Sequence, residues 1–271
     1  MPRDPRIWLA GGFVLLLVFA AILAPALSPF DPLEQDLLAA TAAPGQEPGH
    51  WLGTDSLGRD VLSRLIFASR IALTVALVAA LLACLLGTSL GLLAGYLGGG
   101  VDLIISRLID IWMAFPPVLL SVLLVAVLGT GLHSVIIAIV VIDWTRFARV
   151  VRAETMQQAK REYVEAAAAL GMGRGAILLR EILPNVLPVV LVLLSLEMGI
   201  AVIVEAILSF VGLSVSTDTP TWGGMIAEGR QIIYQAWWVL VFPLLSLFLT
   251  VLAFNQLGDG LHQWLDPMLK R

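Results

Sequence analysis

Apolar positions gather into six long runs, at residues 7–27, 71–97, 104–128, 132–144, 186–213 and 236–257, parted by short polar stretches. A spanning helix needs about 20 mainly apolar residues, so each run is a candidate crossing, the fourth being the shortest. The pattern predicts an all-α polytopic membrane protein with six transmembrane helices. Arg3 and Arg6 precede the first run as they would in a signal peptide. The run is long for such a peptide and has no small-x-small exit before Pro25, so it reads as a retained anchor.

Between the runs the polar pattern differs from place to place. Residues 28–53 hold Pro, Gly and the acids Asp31, Glu34, Asp36 and Glu47 without a hydrophobic period, which predicts an irregular loop. From Leu57, Val61, Leu62, Leu65 and Ile66 recur at helical spacing among Arg59, Asp60, Arg64 and Arg70. That predicts an amphipathic helix along the interface, capped by Asp55 or Ser56 and running into the second span. Gly87, Gly91 and Gly95 stand four apart, a stripe on which another helix can approach closely, within the fold or across a dimer. Pro116-Pro117 should break the third span, which lipid tolerates only where protein or a water-filled path covers the break. Residues 214–235 read as a polar loop with a short helix near 225–233, and Trp222, Trp237 and Trp238 suit the interfacial belt.

Composition agrees with a bilayer protein: 59% apolar and 13% charged residues, with a net charge of -4 that gives no case for nucleic acid. The one cysteine, Cys84, excludes an internal disulfide and reads as a small buried hydrophobe. Charge placement orients the chain. With the N-terminus inside, the cytoplasmic segments hold Arg3, Arg6, Arg107, Arg146, Arg149, Arg152, Lys160, Arg161, Arg174, Arg180, Lys270 and Arg271, twelve against the four of Arg59, Arg64, Arg70 and Arg230 outside. The positive-inside rule therefore favours cytoplasmic N- and C-termini. Neither lysine follows a GxxxxGK[ST] pattern, so the chain is not expected to hydrolyse ATP, and no HExxH, GxSxG or paired-cysteine signature suggests other catalysis or a metal.

The long basic loop, 146–188, is the informative segment. Arg152 to Leu170 has neither proline nor glycine and ends in Ala166 to Ala169, which favours helix, with Gly171 and Gly173 placed to end it. A second short helix from Ala176 to Ile182 should stop at Pro184, giving helix, sharp turn, helix and re-entry. Physics alone leaves two readings open: a small-residue face for docking, or an ordinary solvated loop.

The spacing Glu165-Ala166-Ala167, Gly171 and then Leu183-Pro184 resembles the EAA loop of ATP-binding-cassette importer permeases. The chain departs from the general motif at Glu181, where isoleucine is usual. Leu52-Gly53-Thr54-Asp55-Ser56-Leu57-Gly58-Arg59-Asp60 is similar to the segment before the second span in the C-type subunit of dipeptide, oligopeptide and nickel permeases. So are Tyr96-Leu97-Gly98-Gly99 with Ala114-Phe115-Pro116, Glu205-Ala206-Ile207-Leu208-Ser209-Phe210, Pro220-Thr221-Trp222-Gly223, and Phe254-Asn255-Gln256-Leu257-Gly258-Asp259. Asp266-Pro267 matches too, although Met268 stands where the family has arginine.

That resemblance implies a MetI-like permease core at 71–271 behind an N-terminal anchor and outer loop at 1–70. It implies a non-catalytic subunit in a bacterial inner membrane, importing di- or oligopeptides by alternating access. Glu165, Ala166, Ala167, Gly171, Leu183 and Pro184 would couple it to ATPase subunits. The implied partners are a B-type permease subunit, two ATPase subunits that bind ATP and Mg, and an extracytoplasmic solute-binding protein; no cofactor is expected in this chain. Nickel chelates, glutathione and oligosaccharides are alternative cargoes. Three acids, Asp143, Glu197 and Glu205, fall in or near apolar runs. Glu197 and Glu205, eight apart on a helix, either line the path or make structural hydrogen bonds. A rival reading, a proton-coupled secondary carrier using those acids, lacks an inverted repeat and leaves the basic loop unexplained. A non-transporting scaffold would give the outer loops no reason to match a permease.

Overall fold

The computed structural model describes residues 5–215 and 218–265. Arg3, Lys270, Arg271 and Asp266-Pro267-Met268, used above, lie outside the described residues. Eleven α-helices follow one another in them: α1 Pro5–Ile22, α2 Ala24–Leu27, α3 Val61–Leu97, α4 Gly99–Met113, α5 Pro117–Leu128, α6 Leu132–Gln158, α7 Glu162–Ala169, α8 Arg174–Ile177, α9 Leu183–Phe210, α10 Trp222–Gln231 and α11 Trp237–Leu265.

Four stretches are long and apolar enough to cross a membrane: Pro5–Ile22, Val61–Leu97, Arg174–Phe210 and Trp237–Gln263. A fifth is made by α4 and α5 together, bent by 89° where Pro116 and Pro117 interrupt the helix as expected. The helix α6 fails the same test because it carries Asp143, Arg146 and Arg149. It has less need of an apolar surface. Val135, Ala138, Ile139, Phe147, Ala148 and Val151 are all buried against neighbouring helices.

The glycine stripe positions α6, within this chain. A Cβ on Gly87 would lie 2.3 Å from the Trp144 carbonyl oxygen, one on Gly91 2.8 Å from that of Ala148, and one on Gly95 2.6 Å from that of Arg152. The contacts advance together along both helices, so α3 and α6 run parallel with their backbones in near contact. Around this pair α9 and α11 run antiparallel to each other, Gly199 facing Asn255 and Gly258 facing Ser195. Ser195 Oγ donates to the Phe254 carbonyl at 2.7 Å. The anchor α1 runs antiparallel to α11, with Gly11 beside Leu257 and Ile7 beside Gly260. The start of α1, the ends of α3 and α6, the start of α9 and the end of α11 therefore share one end of the bundle, called inner below.

Several expectations need correction. The irregular loop at 28–53 is not among them, although turns and hydrogen bonds pin it in place. A 3₁₀ turn spans Leu37–Ala39, Thr54 pairs with Asp60, and the Thr54 hydroxyl accepts from Ala42 N–H and donates to the Ala39 carbonyl. The cap of α3 is Asp60, whose carboxylate accepts from Ser63 N–H at 2.7 Å. From there α3 continues without interruption past Arg70, as the expected run into the second span requires. Trp222 and Trp238 are buried, donating to the Leu65 and Thr54 carbonyls, and do not serve as belt residues; of the three, Trp237 alone is exposed. Both indoles thereby satisfy their N–H groups inside the outer end of the bundle.

Candidate functional site

The loop 146–188 proves shorter than its sequence suggested. Helix α6 carries Arg146, Arg149 and Arg152 on to Gln158, and the chain then turns at Ala159 to Arg161 before α7 begins. The unbroken helix expected over 152–170 is thus two helices. Burial of Val164 and Ala167 against a cluster with Phe147, Ile177, Ile182 and Val186 draws α7 back onto the bundle, which a straight continuation of α6 could not achieve. Alanine propensity favours helix on both sides of the turn but cannot hold the turn shut.

At its far end α7 closes as a Schellman motif. Met172 N–H bonds the Ala167 carbonyl and Gly171 N–H that of Ala168, with Gly171 at φ 83°. No stop occurs at Pro184. A π turn, Leu178–Ile182, joins α8 to α9 and accommodates Pro184 in the first turn of α9. The widened turn lets the helix continue from Arg174 to Phe210, and Asn185 Nδ2 caps the Glu181 carbonyl at 2.6 Å.

The six motif residues are placed unevenly. Glu165, Ala166, Gly171 and Pro184 are exposed, Ala167 is buried, and Leu183 is half-buried against the same cluster as Ala167. Of α7, only Val164 and Ala167 are buried; Glu162, Tyr163, Glu165, Ala166, Ala168 and Ala169 face outward, followed by Leu170, 86% exposed. Glu162 and Glu165 in the first turn favour the positive end of the helix dipole.

The two acids of α9 do not form one site. Glu205 is buried and accepts from Ser209 Oγ at 2.5 Å and Ser214 Oγ at 3.1 Å. Ser214 in turn accepts from Gly131 N–H through its carbonyl, so this acid ties the end of α9 to the start of α6. Glu197 faces α6 instead. Arg146 Nη1 is 3.7 Å from its Oε2, Arg146 Nε is 3.5 Å from Asp143 Oδ1, and Glu197 Oε1 is buried with no hydrogen-bond partner among the described residues. Further toward the inner end, Asp102 of α4 pairs with Arg152 of α6, and Asp110 lies 3.6 Å from Arg149.

A second ionic cluster, at the outer end, went unrecognised in the sequence. Asp55 accepts from Arg59 Nε at 2.7 Å and from Arg64 Nη1; Glu228 of α10 accepts from Arg59 Nη2 at 2.9 Å and from Arg64 at 2.6 and 3.1 Å. The Asp55–Arg59 spacing of four was a possible signal; Glu228 is too far along the chain to have been paired by inspection. Burial works against the Glu228 carboxylate, but the hydrogen bonds and charges of Arg64 and Arg59 outweigh it and hold its pKa below the ordinary 4.5. A depressed carboxyl contributes stability that is complete above 4.5 and is lost as pH falls through its folded value. Glu228→Gln should therefore lower the melting temperature at neutral pH and flatten the acid limb of a melting series run down to about pH 3. An acid limb as steep as that of the unsubstituted protein would assign the acid sensitivity elsewhere.

The model of one family, described as binding-protein-dependent transport system inner membrane component, matches residues 87–271. The chain belongs to that family. A second model, the N-terminal transmembrane domain of oligopeptide transport permease C, matches residues 3–44. This permease is 42% identical over 264 residues to the glutathione transport system permease protein GsiD of Pectobacterium atrosepticum, covering 96% of this chain and 86% of that protein. It is 40% identical to the dipeptide transport system permease protein DppC of Alkalihalophilus pseudofirmus (96% and 85% covered). It is 41% identical to the di/tripeptide transport system permease protein DppC of Pseudomonas aeruginosa (95% and 86% covered). Among solved structures, a chain of the MetNI methionine ABC transporter in an inward-facing conformation superposes with a TM-score of 0.63 at 20% identity, over 75% of this chain and 96% of that one. That likeness shows a shared MetI-like fold. The permease is a multi-pass, non-catalytic component of the inner membrane.

Proposed function

We propose that this permease is one transmembrane half of an ATP-driven importer of short peptides, operating by alternating access. The observation that carries the proposal is α7. It is a two-turn helix strung between two long inner-end helices, α6 and α9, held by two buried side chains and a hydrogen bond from the Tyr163 hydroxyl to Gln158, with the rest of its surface exposed. A push on such an elbow reaches both α6 and α9 directly. Glu165, Ala166, Ala167 and Gly171 form the surface and closing turn that meet an ATPase subunit, and Leu183 and Pro184 carry the movement into α9. ATP and Mg belong to two such ATPase subunits, and the folded loop 28–60 with α10 offers an outer surface to a solute-binding protein.

Six crossings fit the course of the chain: α1, α3, the bent α4–α5 pair, α6, α9 and α11. The parallel run of α3 and α6 supports counting α4–α5 as one return passage. The basic residues of the elbow, Lys160, Arg161, Arg174 and Arg180, favour a cytoplasmic inner end, with both termini on that side. Residues 1–70 then serve as anchor and outer cap, and 71–271 as the core. A related B-type subunit supplies the other six helices. Glu197 faces the path, while Glu205 braces α9. The relatives named for dipeptides, di/tripeptides and glutathione favour a peptide cargo over nickel chelates or oligosaccharides.

Glu165→Cys in native membranes should crosslink, through a short thiol-to-amine reagent, to a co-purifying ATPase subunit. Uptake should stop on ATP depletion and survive collapse of the proton gradient. Failure to crosslink from an intact complex, or uptake that follows the proton gradient with ATP held constant, would remove this reading in favour of a carrier.

A further inference from the structure

The inner half of the bundle carries charge on a surface that lipid could not cover. Arg146 side-chain exposure is 37%, that of Arg149 53% and that of Asp110 58%, with Arg107 beside them at 73%. Their depth follows from the packing. Gly11 of α1 sits beside Leu257, and Gly258 faces Ser195, so Glu197 is level with Gly12, about 10 Å inside the first described residue of the apolar α1 at 1.5 Å per residue. Arg146, in contact with Glu197, shares that level. Charge at such a depth faces a polar interior or another chain.

Two further observations favour a water-filled path over a subunit interface. The α4–α5 break lies at the same level, since Trp112 stacks edge-on against Trp144, next to Asp143. From Met113 to Leu119 every residue is exposed, and although their side chains are apolar, Pro117 has no N–H to offer the Met113 carbonyl one turn back, so the backbone at this break needs a polar partner. The ion pairs here are also loose. Separations of 3.5, 3.6 and 3.7 Å exceed the roughly 2.7–2.9 Å of charge-assisted hydrogen bonds, leaving guanidinium donors for another acceptor. The outer cluster, at 2.6 to 3.1 Å, is closed by comparison. The core of a protein–protein interface is depleted of charge, unlike this groove.

We infer that the groove between α4, α6 and α9 forms the inner half of the translocation path, and that Arg146 and Arg149 receive the carboxylate of the passing cargo there. The inference rests on the importer reading given above and adds the recognition chemistry. Carboxylates suit the forked donors of arginine, and every unmodified peptide carries one at its C-terminus. Asp110, Asp143 and Glu197 balance Arg107, Arg146 and Arg149 and keep the groove near neutrality, so that a carboxylate is held weakly enough to leave.

The test uses the complete transporter in proteoliposomes with its binding protein and trialanine as cargo. Arg146→Gln and Arg149→Gln should each lower uptake about tenfold, the scale of one lost charge-assisted hydrogen bond, with binding-protein-stimulated ATP hydrolysis retained. Arg146→Lys should restore uptake to within about threefold, because the positive charge remains. Uptake unchanged in both glutamine variants would overturn the inference. Because Arg146→Gln leaves two buried acids uncompensated and could fail to assemble, Arg149→Cys and Asp110→Cys are also labelled in inside-out vesicles with a charged maleimide. Labelling supports an aqueous groove, and protection of both positions in an assembled complex assigns the surface to a partner subunit and overturns the inference. A transporter whose unsubstituted form imports no trialanine, yet labels at both positions, would refute the peptide reading while keeping the aqueous groove.

Discussion

Gly87→Leu is expected to remove the permease from the membrane fraction. A Cβ alone at this position lies 2.3 Å from the Trp144 carbonyl oxygen, 2.6 Å from the Phe147 Cβ and 3.0 Å from the Ala148 nitrogen. Two of those three neighbours are backbone and cannot rotate away. Inserting atoms into a packed core usually costs about 1–3 kcal/mol when side chains can yield, and more when they cannot. Four carbons at Gly87 require α3 and α6 to separate, which also opens the contacts of Gly91 and Gly95 with Ala148 and Arg152. Gly87→Ala should survive with a melting temperature lowered by several degrees, while Gly12→Leu, where nothing lies within 4 Å, should behave as the unsubstituted protein. Immunoblots of membrane fractions and melting in detergent check these outcomes. Normal abundance and melting of Gly87→Leu would mean that α3 and α6 do not lie in this contact.

The same stripe shows how much was legible in the sequence. Three glycines four apart state that a backbone must approach closely, but not whether the neighbour belongs to the same chain; α6 supplies it. The apolar runs located every long helix but not all of its ends: α3 begins ten residues before its run, α11 continues eight beyond, and α6 continues fourteen past 144. One side of that helix packs against α3 and α9 while Arg146 and Arg149 are exposed on the other, so it need not be apolar throughout, and a pattern tuned to lipid-facing helices ended it too soon. Pro116-Pro117 broke the third span as its chemistry requires, yet Pro184 did not stop α9. The difference lies in the preceding turn. The π register at Leu178–Ile182 makes room for the ring, and no local propensity signals it. The buried positions of Trp222 and Trp238 were equally hidden, because an indole that donates to Leu65 or Thr54 depends on the fold of a loop more than 150 residues away.

The candidate site was legible in its motif and illegible in its mechanics. Glu165-Ala166-Ala167 and Gly171 mark the elbow, but the pattern does not say that only one of those alanines faces the bundle. Nor does it separate Glu197, set against Arg146, from Glu205, whose carboxylate is taken up by Ser209 and Ser214. Helical spacing places both acids on a similar side of α9 and is silent about what each meets 12 Å apart along the axis, about eight residues at 1.5 Å each. The groove of Arg146, Arg149 and Asp110 was hidden for another reason. Its arginines were counted as loop charge, which is correct for topology and uninformative about depth.

Ala167→Asp is the substitution that should separate coupling from folding. Ala167 and Val164 are the only side chains of α7 that are buried, and together their burial contributes about 2–4 kcal/mol on the usual scale for aliphatic groups. An unpaired carboxylate in their place costs several kcal/mol, enough to cancel that attachment. The helix should lift from Ile177, Ile182 and Val186, whereas the α3–α6 and α9–α11 contacts that hold the bundle remain. Under the proposed mechanism, an elbow without a seat cannot transmit force, so uptake should fall by roughly a hundredfold, as a loss near 3 kcal/mol of coupling would give. The protein should still reach the membrane, and ATP hydrolysis by the complex should lose its response to the loaded binding protein. Uptake and ATPase assays on the same proteoliposomes measure both. Retention of uptake within about threefold, with the variant fully assembled, would mean that α7 can work without its attachment to the bundle, and the lever would have to be sought in another inner-end segment.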